Sequence, residues 1–286
     1  MASQRRLIAL WVAPAVACLL ACFMAPVLLM LVNSVHGTSP DAGQDWTLRF
    51  YAKLFSHDIY GRVFWTTVRI AVLTTLVAML LGYPIAWAIA RSGPLTARVL
   101  TIIVVAPLFV NIVIRTFGWR IVLGRNGVIN WALINVGIIT EPLDMLYDQG
   151  AIIVGSVHIF LPLMVLPLAA AIGGINPALE EAARTLGANR FEYFRRVVLP
   201  LTLPGLAAGA TLVFSLTAGS FVLPAILGGE RTKMMGTLVE EQMLVVSDWS
   251  FGSAIAVVLV ALNLGVAATL NGAVERRVRR YAVPAT

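Results

Sequence analysis

Three groups of side chains have types and spacing that suit chemistry, and all three suit binding rather than bond-making. The first fills residues 176–206, NPALEEAARTLGANRFEYFRRVVLPLTLPGL. Asn176 suits a helix cap and Pro177 a first helical position. Glu180 and Glu181 then fall near the positive end of the helix dipole, with Arg184 a turn later. Leu179, Ala182, Ala183 and Leu186 recur at i, i+3, i+4 and i+7, which is one helix face. Gly187 stands where a left-handed terminating residue is wanted. Asn189 with Glu192 reads as the capping box of a second helix. Phe191, Phe194 and Val198 would form that helix's apolar face, and Pro200 is expected to stop it. A short helix, a glycine hinge and a second short helix between two long apolar runs form an element built to dock on something.

The second group is Arg115 with Trp119, inside an apolar run. A charge there is costly unless paired or wetted, so an ion pair and a functional site are both open readings. Trp119 and Trp131 suit either an interfacial aromatic belt or a cation-binding ring. The third group is acidic and aromatic: Asp144, Tyr147 and Asp148, then Glu240, Glu241, Asp248 and Trp249. Carboxylates interleaved with aromatic faces can replace the water shell of an ammonium. The plainer reading is that these segments are acidic because the cations are kept elsewhere.

Other chemistry is missing. His36, His57 and His158 share no ligand spacing, so no metal site is expected. Cys18 and Cys22 lie four apart in an apolar run and read as small apolar side chains. There is no GxSxG or HExxH, and no Gly-Lys dipeptide occurs, so no P-loop can cradle nucleotide phosphates. The expectation is a non-enzyme without cofactor. If ATP drives it, the ATPase is another chain.

These groups hang on apolar runs. The chain is 59% hydrophobic and 12% charged, about half the charge of a soluble domain, which makes it an all-α integral membrane protein. Six runs are long enough to cross about 30 Å of hydrocarbon: 7–32, 64–90, 99–123, 151–172, 201–227 and 252–274. The first continues well beyond a signal-peptide core and reads as an uncleaved span. With the N-terminus inside, the inner segments hold twelve cations against four acids, and the outer segments six against ten. That asymmetry predicts both termini and the 176–206 loop in the cytoplasm, so a pI near 10.0 requires no nucleic acid.

Residues 46–55 read as an interfacial helix with Leu48, Tyr51, Leu54 and Phe55 on one side. Residues 128–139 are apolar but too short to span, and read as interfacial or re-entrant. Residues 237–246 repeat at helical spacing. Gly205 and Gly209 form a small-residue face that would let another helix approach. The division expected is 1–62, a first span with an outer interfacial segment, and 63–286, a core of five spans carrying the loop at about 174–200.

Glu181-Ala182-Ala183, Gly187 after three residues, and Val197-Val198-Leu199-Pro200 after nine more resemble the EAA motif of ABC-importer permease subunits. In that family the loop is cytoplasmic and its first helix lies in a cleft on the ATPase subunit. The resemblance implies a type I importer permease fold with six spans. It also assigns Glu180, Glu181, Ala182, Ala183, Arg184, Leu186 and Gly187 to ATPase coupling. The segment from Ala106-Pro107 through Asn111 and Arg115-Thr116-Phe117-Gly118-Trp119 to Gly124, Asn126, Gly127 and Asn130 is similar to spermidine/putrescine-type permeases. So is the stretch of Gly228-Gly229, Met234-Met235-Gly236, Glu241-Gln242 and Asp248-Trp249-Ser250-Phe251-Gly252. This implies an inner-membrane importer of a small cationic solute such as putrescine or spermidine. Its partners would be two ATPase subunits, a second related permease and an extracytoplasmic solute-binding protein, in a lipid membrane. Importers of opines, amino-acid derivatives and other small charged solutes belong to the same group. On this reading Arg115, Trp119, Asp148, Glu241 and Trp249 face the substrate path. The rival classes are an ATP-independent secondary transporter or channel, which would show charged relays in several spans, and a membrane-embedded enzyme, which would need convergent catalytic groups.

Overall fold

The computed structural model describes residues 2–37 and 46–281, with the side chains of 2–10, 15, 17 and 278–281 excepted. Of the residues weighed for orientation, Asp41 and Asp45 lie outside the described residues, as do the side chains of Arg5, Arg6, Arg279 and Arg280. Among the described residues the regular elements are helical, joined by one antiparallel bridge, His36 to Trp46. The helices are α1 (Ala2–Val35), α2 (Arg49–Ser56), α3 (Asp58–Arg91), α4 (Pro94–Val105), α5 (Ile112–Leu123), α6 (Val128–Asn135), α7 (Gln149–Gly173), α8 (Ala178–Thr185), α9 (Arg190–Tyr193), α10 (Leu199–Ala218), α11 (Met235–Glu240) and α12 (Trp249–Tyr281). Among the described residues, five stretches are long and apolar enough to cross a membrane: Trp11–Val35, Asp58–Arg91, Gln149–Gly173, Arg190–Ala218 and Trp249–Arg277.

The expected third span, 99–123, is not a straight helix. Pro94–Phe109 and Ile112–Asn135 meet at a bend of 98°. Pro107 tightens the chain into a 3₁₀ turn over Ala106–Phe109, and Asn111 starts α5 afresh, its Oδ1 accepting the Val113 amide at 2.8 Å. The proline removes an amide donor where the helix would continue, and the asparagine caps the new start. The expected fifth span also ends early. α10 stops at Ala218, and Pro224–Gly228 forms a separate π turn.

Two compact units make up the chain: Met1–Gly61 with Leu238–Val260, and Arg62–Thr237 with Ala261–Thr286. In the first, α1 exposes Trp11, Leu19, Leu20, Phe23 and Leu29, which suits a lipid solvent rather than water. α2 buries Phe50 and Leu54 at i, i+4, while Leu48 and Phe55 are exposed. Of the residues expected on one side of this helix, Leu54 is thus turned into the protein, while Leu48 and Phe55 stay exposed. Tyr51 Oη donates to Ser34 Oγ at 2.8 Å, and Ser250 Oγ donates to the His36 carbonyl at 3.0 Å, tying α2 and α12 to the end of α1.

In the second unit α7 is the buried axis, with Ile152, Ile159, Met164, Leu168 and Ile172 all at 0–1% exposure. α10 packs closely on it through the small-residue face. A Cβ at Gly205 would stand 2.7 Å from the Pro167 carbonyl oxygen, and one at Gly209 would stand 3.0 Å from Met164 Cα. The Thr67 hydroxyl in α3 donates to the Val63 carbonyl at 2.8 Å and accepts the Met235 amide at 2.8 Å, so the start of α11 is held from α3.

Pro200 does not end the second loop helix. α9 runs through a π turn at Phe194–Val198 directly into α10. The wider turn sits just before the proline, where the missing amide and the ring would otherwise disturb an α-helical ladder. That turn also rotates the apolar face. Tyr193 and Val198 are buried with Ile175, whereas Phe191 is 69% exposed.

Candidate functional site

The 176–200 loop is assembled by its own local chemistry. Asn176 Oδ1 accepts the Ala178 amide at 3.0 Å, opening α8. Gly187 closes it at φ +81, a conformation L side chains rarely adopt, with nothing within 4 Å of a Cβ. Asn189 Oδ1 accepts the Glu192 amide at 2.9 Å and Glu192 Oε2 accepts the Asn189 amide at 3.1 Å, a complete capping box.

α8 contains no buried residue. Leu179 is 42% and Leu186 87% exposed. Glu180 pairs with Arg184 at 2.6 Å, so both of these expected coupling residues are engaged within the helix. Ala183 leans on the Ile175, Tyr193 and Val198 cluster. The side chains left without a partner among the described residues on this helix are Leu179, Leu186 and Glu181: two apolar knobs and a carboxylate. Such an exposed amphipathic helix has the chemistry of a docking element.

The second group sits where α5 meets α7. Trp119 Nε1 donates to His158 Nδ1 at 3.1 Å, with the rings edge-to-face at 5.4 Å. Nδ1 is thus the acceptor, and the His158 proton belongs on Nε2. Arg115 acts electrostatically on His158, and its Nε and Nη1 are buried without a partner among the described residues. His158 shares no ligand spacing with the other histidines, so metal-site spacing alone does not single it out. Its one signal was that it is the only titratable side chain in α7. The Arg120 guanidinium donates to Tyr147 Oη at 3.3 Å.

The acidic residues are engaged differently from what their count suggests. Asp144 pairs with Arg125 at 3.3 Å. Asp148 caps α7, its Oδ2 accepting the Gly150 amide at 3.1 Å. Asp248 caps α12, its Oδ1 accepting the Phe251 amide at 3.0 Å. Each capping aspartate follows a residue at φ 62, Tyr147 and Ser247 respectively. Glu241 is half-buried at the start of the π turn Glu241–Val245, and Trp249 is 52% exposed. Asp144, Asp148, Arg115 and Trp119 belong to the larger unit, and Glu240, Glu241, Asp248 and Trp249 to the smaller one. Asn130, part of the permease-like stretch, is a buried latch. Its Nδ2 donates to the Gly124 and Leu143 carbonyls at 3.1 and 2.9 Å, and its Oδ1 accepts the Leu143 amide at 2.8 Å. It fixes α6 against the segment that leads to Asp148.

Comparison with known proteins adds to this geometry. A family model described as the binding-protein-dependent transport system inner membrane component matches residues 71–280. The spermidine/putrescine transport system permease protein PotB of Haemophilus influenzae is 37% identical over 235 residues, covering 81% of this chain and 82% of that protein. PotB of Escherichia coli is 34% identical over 234 residues, covering 81% and 85%. Among solved structures, a chain of a bacterial alginate ABC transporter in complex with a pentasaccharide-bound periplasmic protein matches with a TM-score of 0.75 at 19% identity over 96% of both chains. The inward-facing MetNI methionine ABC transporter matches with a TM-score of 0.56 at 21% identity, over 76% of this chain and 94% of that one. At those identities the structural likeness is one of fold.

Proposed function

Because the chain belongs to the family of binding-protein-dependent transport system inner membrane components, we propose that it is the permease subunit of an ABC importer of polyamines, putrescine and spermidine. The substrate class rests on one observation, the identity to the PotB proteins over most of both chains. The chain is a transport subunit rather than an enzyme, and ATP hydrolysis belongs to a separate subunit.

The proposed coupling runs through α8. Leu179, Leu186 and Glu181 would seat in the ATPase, with Glu180, Ala182, Ala183, Arg184 and Gly187 shaping the helix that carries them. A displacement of α8 would reach Tyr193 and Val198 through Ala183. Those residues lie on the continuous helical stretch Arg190–Ala218, so the push would arrive inside the membrane as a rigid-body movement of α10. The bent pair counts as one span on this reading, giving six, with both termini and the 176–200 loop in the cytoplasm and residues 63–286 as the core. The partners would be ATPase subunits, a second related permease and an extracytoplasmic binding protein, in the bacterial inner membrane. Arg115, Trp119, Asp148, Glu241 and Trp249 are proposed to face the path.

A second reading has its own support. The Arg115 donors, buried without a partner among the described residues and beside His158, suit an acidic group better than an ammonium. They favour a substrate carrying an acid as well as an amine, such as an opine or amino-acid derivative. A ligand screen on the reconstituted complex with its binding protein separates the two. Putrescine and spermidine should stimulate uptake and ATP hydrolysis. Stimulation by an amino-acid derivative and by neither polyamine would overturn the polyamine assignment and leave the permease assignment intact.

A further inference from the structure

The chain contains nineteen arginines and two lysines. Lys233 pairs with Glu230 at 3.2 Å. The other, Lys53, behaves differently. It stands on the exposed side of α2, where an ammonium can be fully hydrated, yet its Nζ lies 4.1 Å from the centroid of the Phe251 ring. Phe251 is 0% exposed. Tyr60 meets the same ring edge-to-face at 5.1 Å, and His57 lies 5.9 Å from Tyr60.

The position of Phe251 near the start of α12 should repel a cation, because that is the positive end of the helix dipole. Two carboxylates offset this. Asp248 takes the Phe251 amide on Oδ1 at 3.0 Å, which locks the ring's backbone to the carboxylate. Asp248 and Glu241 both act electrostatically on Tyr60. Two aromatic rings, two carboxylates and an ammonium over a ring face constitute a cation–π site. All these residues lie in one compact unit.

Lysine's side chain ends in a primary ammonium on an alkyl chain, the same group that ends a diamine. We propose that the Phe251–Tyr60 face is a primary-ammonium site, that Lys53 occupies it as a tethered competitor, and that one end of a diamine or polyamine displaces Lys53 to bind there. The ligand named rests on the polyamine reading above, whereas the site itself does not. Displacement returns Lys53 to water at little cost, because its stem is already exposed. The site would thus hold an ammonium whether or not a solute is present, and the ring would never face an empty space.

Two measurements test this in the full complex. The first is the half-saturating putrescine concentration for uptake. Lys53→Met removes the competitor and should lower it about three- to tenfold, and Phe251→Leu should raise it by a similar factor. Lys53→Arg, which keeps a cation over the ring, should stay near wild type. Unchanged values for both Lys53→Met and Phe251→Leu would overturn the proposal.

The second measurement makes no reference to transport. In a chain with Cys18 and Cys22 replaced by Ser, Lys53→Cys is labelled with an ethylammonium methanethiosulfonate and with its neutral methyl analogue. The ammonium reagent should react several times faster, and adding Phe251→Leu should abolish that preference. Equal rates with and without the ring would sink the site. If the labelling preference is present but no polyamine stimulates uptake, the polyamine reading falls and the ammonium site remains.

Discussion

Asn189 at the loop and Asp148 at the start of α7 do the same local work, each accepting a backbone amide that a helix start leaves unpaired. What they hold differs. In the loop the caps keep α8 and α9 folded with little burial to help, and α8 ends up with no buried residue at all. At α7 the cap opens a helix whose axis is the core of its unit, so packing would stabilise the helix in any case. The same contrast divides the carboxylates. On α8, Glu180 is tied to Arg184 and Glu181 is left over. In the acidic and aromatic group, Asp144 pairs with an arginine and Asp148 and Asp248 cap helices. A charge count ranks that group as the denser site, yet Asp144, Asp148 and Asp248 are already engaged, whereas Glu181 on the sparse loop has no partner among the described residues.

Glu181→Lys should break this contrast most visibly. It reverses the one carboxylate of α8 without a partner among the described residues, at a helix N-terminus and at the proposed ATPase contact. Uptake by the reconstituted complex should fall at least about tenfold, as expected for truncating a docked charge pair, while membrane insertion stays normal. Glu180→Gln, which removes only an exposed i,i+4 pair, should matter far less. If Glu181→Lys supports normal uptake, α8 does not dock through this face.

Gly187→Val should have the next largest effect. A Cβ at Gly187 meets nothing within 4 Å, so the cost is purely that of φ +81, about 1–2 kcal/mol for a side chain in the left-handed region. The second helix would leave at a different angle, and the amount of ATPase co-purifying should drop several-fold. Gly187→Asn should restore most of it, because asparagine tolerates that region. Equal loss with Asn would mean that the position is limited by contact with a partner and not by backbone conformation.

The contrast also explains what the sequence made legible. Asn176, Gly187, Asn189 and Glu192 were readable because a cap is a local device, decided by residues within four positions of one another. The Gly205–Gly209 face was readable because small residues at that spacing announce close approach, and α7 lies against it. The bend at Ala106–Asn111 carried its signals, Pro107 and Asn111, but hydropathy averaged over 99–123 runs across them. Pro200 lies inside a continuous helix because the π turn before it absorbs what a local proline rule counts as a stop. His158 with Trp119, and Asn130 with Leu143, are separated by 39 and 13 residues. Tertiary packing makes those pairs, and no local rule reports them.

Asp148 offers the finest test, and the smallest effect. Its carboxylate is given two jobs: a cap, which the Gly150 amide shows, and a negative charge on the proposed path. Asparagine caps as well as aspartate does, so Asp148→Asn keeps the first job and removes the second. Asp148→Ala removes both and should cost about 1 kcal/mol of stability. Thermal unfolding of the detergent-solubilised chain should therefore separate Ala from Asn, with Asn near wild type. The half-saturating putrescine concentration should rise about two- to threefold in both, the size of one screened charge at an exposed site. A stability loss in Asn equal to that in Ala would mean that the charge, acting on the α7 dipole, is what stabilises the helix start. Wild-type behaviour of Asn in both measurements would confine Asp148 to capping, and the second unit's share of the path would then rest on Arg115 and Trp119.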